Sequence, residues 1–330
     1  MEHRSTINDQ PSTIVSPWPH LLAWIVACGV FPLIWMGGLV TTYGAGMAVL
    51  DWPTTRGSWF YPLQKWLWDI TSELFLEHGH RTIAQLVGLF AVIMLAAVFR
   101  CDRRKSVRWL AIAILCGLIF QGVLGGFRVL WEEKQLARIH GCTAPVVFCL
   151  CAVMVTLTSK AWRNIEPLET SVAVRRLFWL MPTLVFLIYS EIVFGTQVRH
   201  PLINDMTSWS LFWVWIKVIT AGLVGLGMLF LLSLAPKLKK NPNSLLRRRI
   251  FLLASLFLLQ IVLACFTWVA NYGWPKWFTD YLADWNYTVV KHGVLQVWMT
   301  TAHSAVGSLV LLAAVNLTVW SRRLSRGPRA

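Results

Sequence analysis

Eight apolar stretches, each long enough to cross a bilayer as a helix, recur along this 330-residue chain and decide its fold class before anything else is read. They begin near Leu21, Leu74, Trp109, Leu136, Leu177, Trp209, Ile250 and Val294. A spanning helix needs roughly 20 mostly apolar residues, because in hydrocarbon every backbone N–H and C=O must be satisfied within the segment itself. The composition agrees: 56% hydrophobic and 14% charged residues, with a mean hydropathy of +0.58, is too apolar for an ordinary soluble domain. An all-α integral membrane protein with eight transmembrane helices follows. The first 20 residues are polar and lack an apolar core with a small-residue cleavage site, so the first span is expected to act as an uncleaved insertion signal.

A net charge of +15 would suggest nucleic acid if it were spread over a soluble surface. Here it alternates with the spans. Arg100, Arg103, Arg104, Lys105 and Arg108 follow the second span; Lys160, Arg163, Arg175 and Arg176 follow the fourth; Lys237, Lys239, Lys240, Arg247, Arg248 and Arg249 follow the sixth; Arg322, Arg323, Arg326 and Arg329 end the chain. The positive-inside rule then puts these loops and both termini in the cytoplasm, as expected of a multi-pass protein of the inner (cytoplasmic) membrane. The bilayer is the partner that this charge implies, and nucleic acid is not. The outer loops instead gather aromatics: Trp59, Phe60, Tyr61, Trp66 and Trp68 before the second span, Trp274, Trp277, Phe278, Tyr281, Trp285 and Tyr287 before the eighth. An interfacial aromatic belt and a lid over an outer-leaflet site both fit that distribution.

Of seven cysteines, Cys28, Cys116, Cys142, Cys149, Cys151 and Cys265 fall inside the expected helices and Cys101 in a basic loop, which reads as buried small hydrophobes rather than a disulfide framework. No CxxC or CxxCH motif occurs, so covalent c-type haem, structural zinc and iron–sulfur clusters find no support.

The second half of the chain echoes the first. Thr82-Ile83-Ala84-Gln85-Leu86-Val87-Gly88-Leu89 aligns with Ile219-Thr220-Ala221-Gly222-Leu223-Val224-Gly225-Leu226, Gln121-Gly122-Val123-Leu124 with Gln260-Ile261-Val262-Leu263, and His140 with His303. Three short matches in the same order, each in the corresponding span, point to two pseudo-symmetric four-helix bundles side by side. The expected organisation is a cytoplasmic tail over 1–20, a first bundle over 21–158, a cytoplasmic linker over 159–176, a second bundle over 177–323 and a tail over 324–330.

Ionisable side chains at membrane depth are expensive and so are functional candidates. The second span opens with Glu77-His78-Gly79-His80-Arg81, where Glu77, His80 and Arg81 share a helical face and His78 points elsewhere. His80 and His140 enter from the same side on equivalent helices at similar depth. Facing each other across one bundle, they would supply both axial ligands of a haem; hydrogen bonding within the protein is the alternative for each. Glu77 can likewise be a salt-bridge partner of Arg81. Shifting His80 by the repeat offset lands on Lys217, the most unusual residue in the chain. Three roles stay open for it: a ligand opposite His303, a cation for a haem propionate, or a snorkelling residue in a half that has lost its haem. Arg128 and Arg199, at outer span ends, suit propionate pairing or interfacial snorkelling. His200, His292, His3 and His20 read as solvated or interfacial.

The residues also resemble a family. Glu77-His78-Gly79-His80-Arg81, Gly37-Gly38-Leu39-Val40-Thr41-Thr42, Gly44-Ala45-Gly46-Met47 with Asp51-Trp52-Pro53, Gly125-Gly126-Phe127-Arg128, Ile139-His140-Gly141-Cys142, Val198-Arg199-His200 and Thr301-Ala302-His303 are similar to the CtaA/Cox15 haem A synthases from about Leu21 to Arg323. The resemblance implies eight helices in two bundles and oxidation of a haem O methyl group, through an alcohol and a hydrated aldehyde, to the formyl group of haem A for the terminal oxidase. It implies that His80 and His140 hold the substrate haem O, that Glu77 stands as the catalytic carboxylate at the reacting edge, and that Arg81, Arg128 and Arg199 are anchors for propionates. It implies a cofactor haem b in the second bundle between two histidines, where this chain offers His303 and, in place of the other, Lys217. Haem O synthase and terminal-oxidase assembly factors are the partners it suggests. An electron-transfer cytochrome, with little use for Glu77, and a haem transporter or chaperone are the competing classes.

Overall fold

In the computed structural model the described residues are 16–58, 73–165, 172–200, 206–238, 244–281 and 289–325. Eight long helices run through them: α1 (Trp18–Thr42), α2 (Glu73–Cys101), α3 (Lys105–Trp131), α4 (Lys134–Thr158), α5 (Val172–Arg199), α6 (Met206–Leu234), α7 (Ser244–Tyr272) and α8 (Val294–Ser325). All eight are long and apolar enough to span a bilayer, and the protein is a multi-pass α-helical membrane protein. Most begin a few residues before the apolar cores do; α5 starts at Val172 rather than near 177. Basic residues such as Arg175, Arg176, Arg247 and Arg248 prolong the helices at their ends. Long cationic side chains keep their charge in the headgroup region while the backbone stays helical, so the apolar run understates helix length. The expected linker over 159–176 accordingly holds the short helix Lys160–Asn164 and the first turn of α5.

Outward faces carry Leu86, Leu89, Phe186, Leu226, Leu229 and Leu258, all exposed, as lipid contact allows. Inward, two apolar cores form. One gathers Val26, Val30, Ala91, Met94, Ile114, Phe148 and Met154 from α1 to α4; the other gathers Leu177, Met181, Leu184, Met228, Leu231, Ile250 and Leu317 from α5 to α8. Helix neighbours follow suit: α1 meets α2 and α4, and α3 meets both; α5 meets α6 and α8, and α7 meets both. Contacts of α8 with α1 and α4, and of α4 with α5, join the two sets.

The cysteines depart from expectation. Cys149 and Cys151 are buried, but Cys28, Cys101, Cys116 and Cys265 are exposed. A small apolar side chain is as comfortable against lipid as in the core, so a helical position does not imply burial in a membrane protein.

Three short connections fix the helix ends. Glu132 takes a left-handed conformation, φ 54°, and turns α3 directly into α4. At the α2–α3 turn the Asp102 carboxylate accepts from Arg104 at 2.6 Å and from Arg163 of the short helix at 3.4 Å. Burial raises the Asp102 pKa, but the Arg104 bonds and the Arg104 and Arg163 charges outweigh it and hold the carboxyl below its usual range. Beyond α1, a loop over 43–58 folds back onto the start of α2. The aromatics at 59–68 and at 285–287 lie outside the described residues, as do the expected tail over 1–15 and residues 326–330.

Candidate functional site

His80 stands seven residues into α2 and His140 six residues into α4. At about 1.5 Å rise per residue the two imidazoles enter at nearly one depth. Their ring centres are 6.5 Å apart and their planes lie at 71°. Two imidazoles on one iron have ring centres roughly 6 Å apart, from about 2 Å of metal–nitrogen bond and roughly 1 Å from nitrogen to ring centre on each side. The His80 Nδ1 atom is buried without a partner. Helix α1 passes close behind it at Gly37, where a Cβ would stand 3.0 Å from His80 Cε1, so only glycine leaves the ring its place. Behind His140 lies Gln121 of α3; with its amide turned over it donates to His140 Nδ1 at 3.0 Å and accepts from Thr143. A hydrogen bond at the far nitrogen orients a ligating imidazole. The pair therefore fits a haem held from both faces.

Glu77, one turn before His80, is 4% exposed. Its Oε1 accepts from Arg81 at 2.6 Å and its Oε2 from the backbone N–H of Val49 at 3.0 Å. Arg81 in turn donates to the carbonyls of Val49, Asp51 and Thr54 at 3.0, 2.6 and 2.7 Å. His78 Nδ1 lies 3.0 Å from Thr55 Oγ1. The Glu77-His78-Gly79-His80-Arg81 run is thus split in function: Glu77, His78 and Arg81 clamp the 43–58 loop over the mouth, while His80 alone turns to His140. The loop has its own brace. Burial raises the pKa of Asp51, yet bonds from Thr54 Oγ1 and from the N–H groups of Gly57 and Arg56 more than offset this and hold its carboxyl down to about 2.

Arg128, in the last turn of α3, lies against Gly46 of this loop, where any Cβ would overlap the guanidinium. Its charge acts on Glu77, His80 and His140. Arg199 donates to Gly38 O at 2.7 Å, to Thr42 Oγ1 at 2.5 Å and to Ser304 Oγ at 3.1 Å, and so links α1, α5 and α8. His200, expected to be solvated or interfacial, is half-buried at the end of α5. Burial, and after it the charges of Arg199, Arg128, Arg138 and His140, push its imidazole down to about 3, which leaves it neutral. His292 Nδ1 lies 2.8 Å from Thr42 O, and His20 Nδ1 lies 3.0 Å from Thr158 Oγ1, so both pin helix ends.

The second helix set repeats this plan with one exchange. His303 of α8 has Gln260 of α7 beside it, with 3.5 Å between Gln260 Nε2 and His303 Nε2. Gly195 of α5 faces Lys217 of α6 as Gly37 faces His80; a Cβ there would stand 3.3 Å from Lys217 Nζ. Lys217 points among the helices, and its charge acts on His303 and on Glu191 of α5. Glu191 escaped the sequence reading, although a carboxylate eight residues before the end of a span carried the same signal as Lys217. His303 Nδ1, Gln260 Oε1 and Glu191 Oε1 are all buried without partners. One imidazole with an orphaned nitrogen fits a haem held from one face.

Comparison with known proteins gives a consistent picture. The family of cytochrome oxidase assembly proteins COX15-CtaA matches residues 20–207. A protein of Geobacillus kaustophilus named "Heme A synthase" is 23% identical over 185 residues, 54% of this chain and 56% of that protein. One of the same name from Shouchella clausii is 28% identical over 186 residues, 54% of this chain and 58% of that protein. The matches thus span little more than half the length of these relatives. A shorter match, 32% over 101 residues, 31% of this chain, covers 20% of a "Protoheme IX farnesyltransferase" of Halobacterium salinarum.

Proposed function

This chain belongs to the COX15-CtaA family of cytochrome oxidase assembly proteins, and from that premise we propose that it is a haem A synthase, oxidising the C8 methyl group of haem O to a formyl group. The observation that carries this reading is the facing His80–His140 pair, 6.5 Å between ring centres, with the buried Glu77 carboxylate one turn away. Haem O is held as substrate between the two imidazoles. The helices keep water out of the pocket and fix the orientation of the ring, so that one methyl group meets the mouth. Conversion of CH3 to CHO with water as the formal oxygen source releases four protons and four electrons, the electrons passing to an external redox carrier; Glu77 accepts protons at the reacting edge, with Arg81 and the Val49 N–H holding the carboxylate in place.

Among the three candidate propionate anchors, Arg128 is the one whose guanidinium donates to no described residue, and it takes the leading role. Arg199 retains part of its donor capacity. Arg81 already serves four acceptors, so it acts mainly as the clamp of the loop. In the second set His303 and Lys217 are the residues that would hold haem b, which would supply one-electron transfer there. Haem O synthase and terminal-oxidase assembly factors are the fitting partners, and the membrane is the bacterial inner membrane with both termini cytoplasmic.

One observation favours the rival electron-transfer reading: both Glu77 oxygens are engaged in holding the loop. Expression with a source of haem O, followed by extraction and chromatography of the haems, separates the two. Haem A is expected from the native chain. Bound haem O that is never converted would leave an electron-transfer cytochrome, and the absence of any haem absorbance would leave a transporter.

A further inference from the structure

At the end of the helices opposite the His80–His140 pair, where α4 and α8 finish and α7 begins, arginines lie on aromatic rings instead of on carboxylates. Arg249 of α7 sits over the Trp320 ring at 4.6 Å, Arg323 over Trp162 of the short helix at 5.5 Å and Arg322 over Phe178 of α5 at 5.8 Å. The Trp162 and Trp320 rings meet edge to face, 5.1 Å between centres, so Arg249 and Arg323 are braced on one tryptophan pair. Hydrogen bonds tie the same place together: Arg249 Nε donates to Asn316 Oδ1 at 2.9 Å, and Asn316 Nδ2 donates to Thr156 Oγ1 of α4 at 2.7 Å. This seat therefore lies on the seam between the two helix sets, with α4 and the short helix on one side and α7 and α8 on the other.

What the seat lacks is an acceptor. Trp320 is 1% exposed and its Nε1 is buried without a partner, and Arg323 Nε is likewise buried and unpaired. Among the described residues no carboxylate pairs with Arg249, Arg322 or Arg323; the acid at this end, Asp102, is taken up by Arg104 and Arg163. A basic loop segment is what membrane topology asks for, but topology alone does not fix Arg249 and Arg323 half-buried on rings while neighbouring Arg247 and Arg248 stay exposed. A buried donor without an acceptor is costly, and a guanidinium already held on a ring loses little further freedom when it binds an anion. An oxyanion, with several acceptor oxygens and a negative charge, answers both conditions.

We propose that Arg249 and Arg323, held on the Trp320–Trp162 pair, seat the phosphate of an anionic phospholipid headgroup, which fastens the two helix sets together at their seam. A lipid phosphate is favoured over free phosphate because the seat lies at the ends of spanning helices, where anionic headgroups gather around basic pockets. Trp179, packed edge-on against Phe178 at the same end, is 69% exposed and marks the lipid-facing side.

The test uses the full chain in a neutral detergent, titrated with short-chain phosphatidylglycerol, with phosphatidylcholine of the same chain length, whose phosphate is offset by choline, and with inorganic phosphate. Native mass spectra count the lipid retained, and thermal melts report stability. The native chain is expected to hold phosphatidylglycerol at least about tenfold more tightly than phosphatidylcholine and to melt at a higher temperature with it. Arg249→Gln and Arg323→Gln should each remove most of that preference, whereas the double variant Arg247→Gln/Arg248→Gln should keep it. Equal retention of the two lipids by the native chain overturns the proposal without needing any variant to fold. A preference that falls as far in the Arg247→Gln/Arg248→Gln protein as in Arg323→Gln overturns it in favour of a diffuse basic surface. Inorganic phosphate that stabilises the native chain as much as phosphatidylglycerol does, through Arg323, overturns the lipid assignment in favour of a free oxyanion. None of these measurements needs bound haem, so the seat and the haem A synthase reading stand or fall separately.

Discussion

The two helix sets share a glycine, a glutamine and a histidine in similar packing and differ in the side chain that faces the glycine. In the first, a glycine on α1 makes room for His80, and glutamine and histidine on α3 and α4 complete a pair of facing imidazoles. In the second, glycine, glutamine and histidine recur as Gly195, Gln260 and His303, but the side chain packed against the glycine is Lys217, with the Glu191 carboxylate in electrostatic reach. Similar packing can therefore surround different chemistry. An imidazole offers a neutral lone pair to a metal, whereas a lysine amine does so only after losing its proton.

The largest effect expected from this contrast is at the imidazoles. His80→Ala or His140→Ala should lose the tightly held haem and reduce haem A formation to background, while His303→Ala should leave haem O bound in the first set. Haem content and extracted products measure both. If either first-set variant kept its haem and its product, the contrast between the sets would fail. Next comes Glu77→Gln, expected to lower conversion by about 10²–10⁴-fold with haem content unchanged. Arg81→Gln is the companion experiment: a parallel fall of activity and thermal stability in both variants would make Glu77 a loop clamp alone. Smaller, but more pointed, is Lys217→His. If the scaffolds are equivalent, this one change should add a second low-spin, bis-imidazole haem signal, and an unaltered spectrum would break the equivalence.

Much of the first set was legible because membrane burial makes polar residues scarce: a histidine inside an apolar span stands out, and a repeat offset turns His80 and His140 into Lys217 and His303. Helix direction and depth then follow from counting residues. What could not be read was rotation about each helix axis. Glu77, His80 and Arg81 were expected to share one face with His78 pointing elsewhere, but the loop takes Glu77, His78 and Arg81, and only His80 turns to His140. Gln121 and Gln260 served as repeat markers without disclosing that each packs beside a histidine, since that contact joins different helices. Arg138 drew no reading, because nothing local says that the end of α5 covers it. His200 was taken for a solvated residue for the same reason.

Away from both sets, the Asp102 cluster at the α2–α3 turn should respond in stability alone. Asp102 is 6% exposed and binds Arg104 through both oxygens, with Arg163 as a further partner. Asp102→Asn keeps the shape and removes the charge, so a loss of about 1–3 kcal/mol is expected, smaller than the effects at the sites because one charge-assisted cluster is weakened and no ligand is lost. The pH dependence has a definite sign. A carboxyl held below its ordinary value of 3.8 contributes in full above that value, and the contribution fades as pH falls from there through the lowered folded value. Thermal melts of the native chain and of Asp102→Asn should therefore differ most at neutral pH and converge as the pH falls below 3.8. A gap that persisted undiminished in acid would mean that the aspartate acts by shape and hydrogen bonding, with its charge irrelevant to holding α2, α3 and the short helix together.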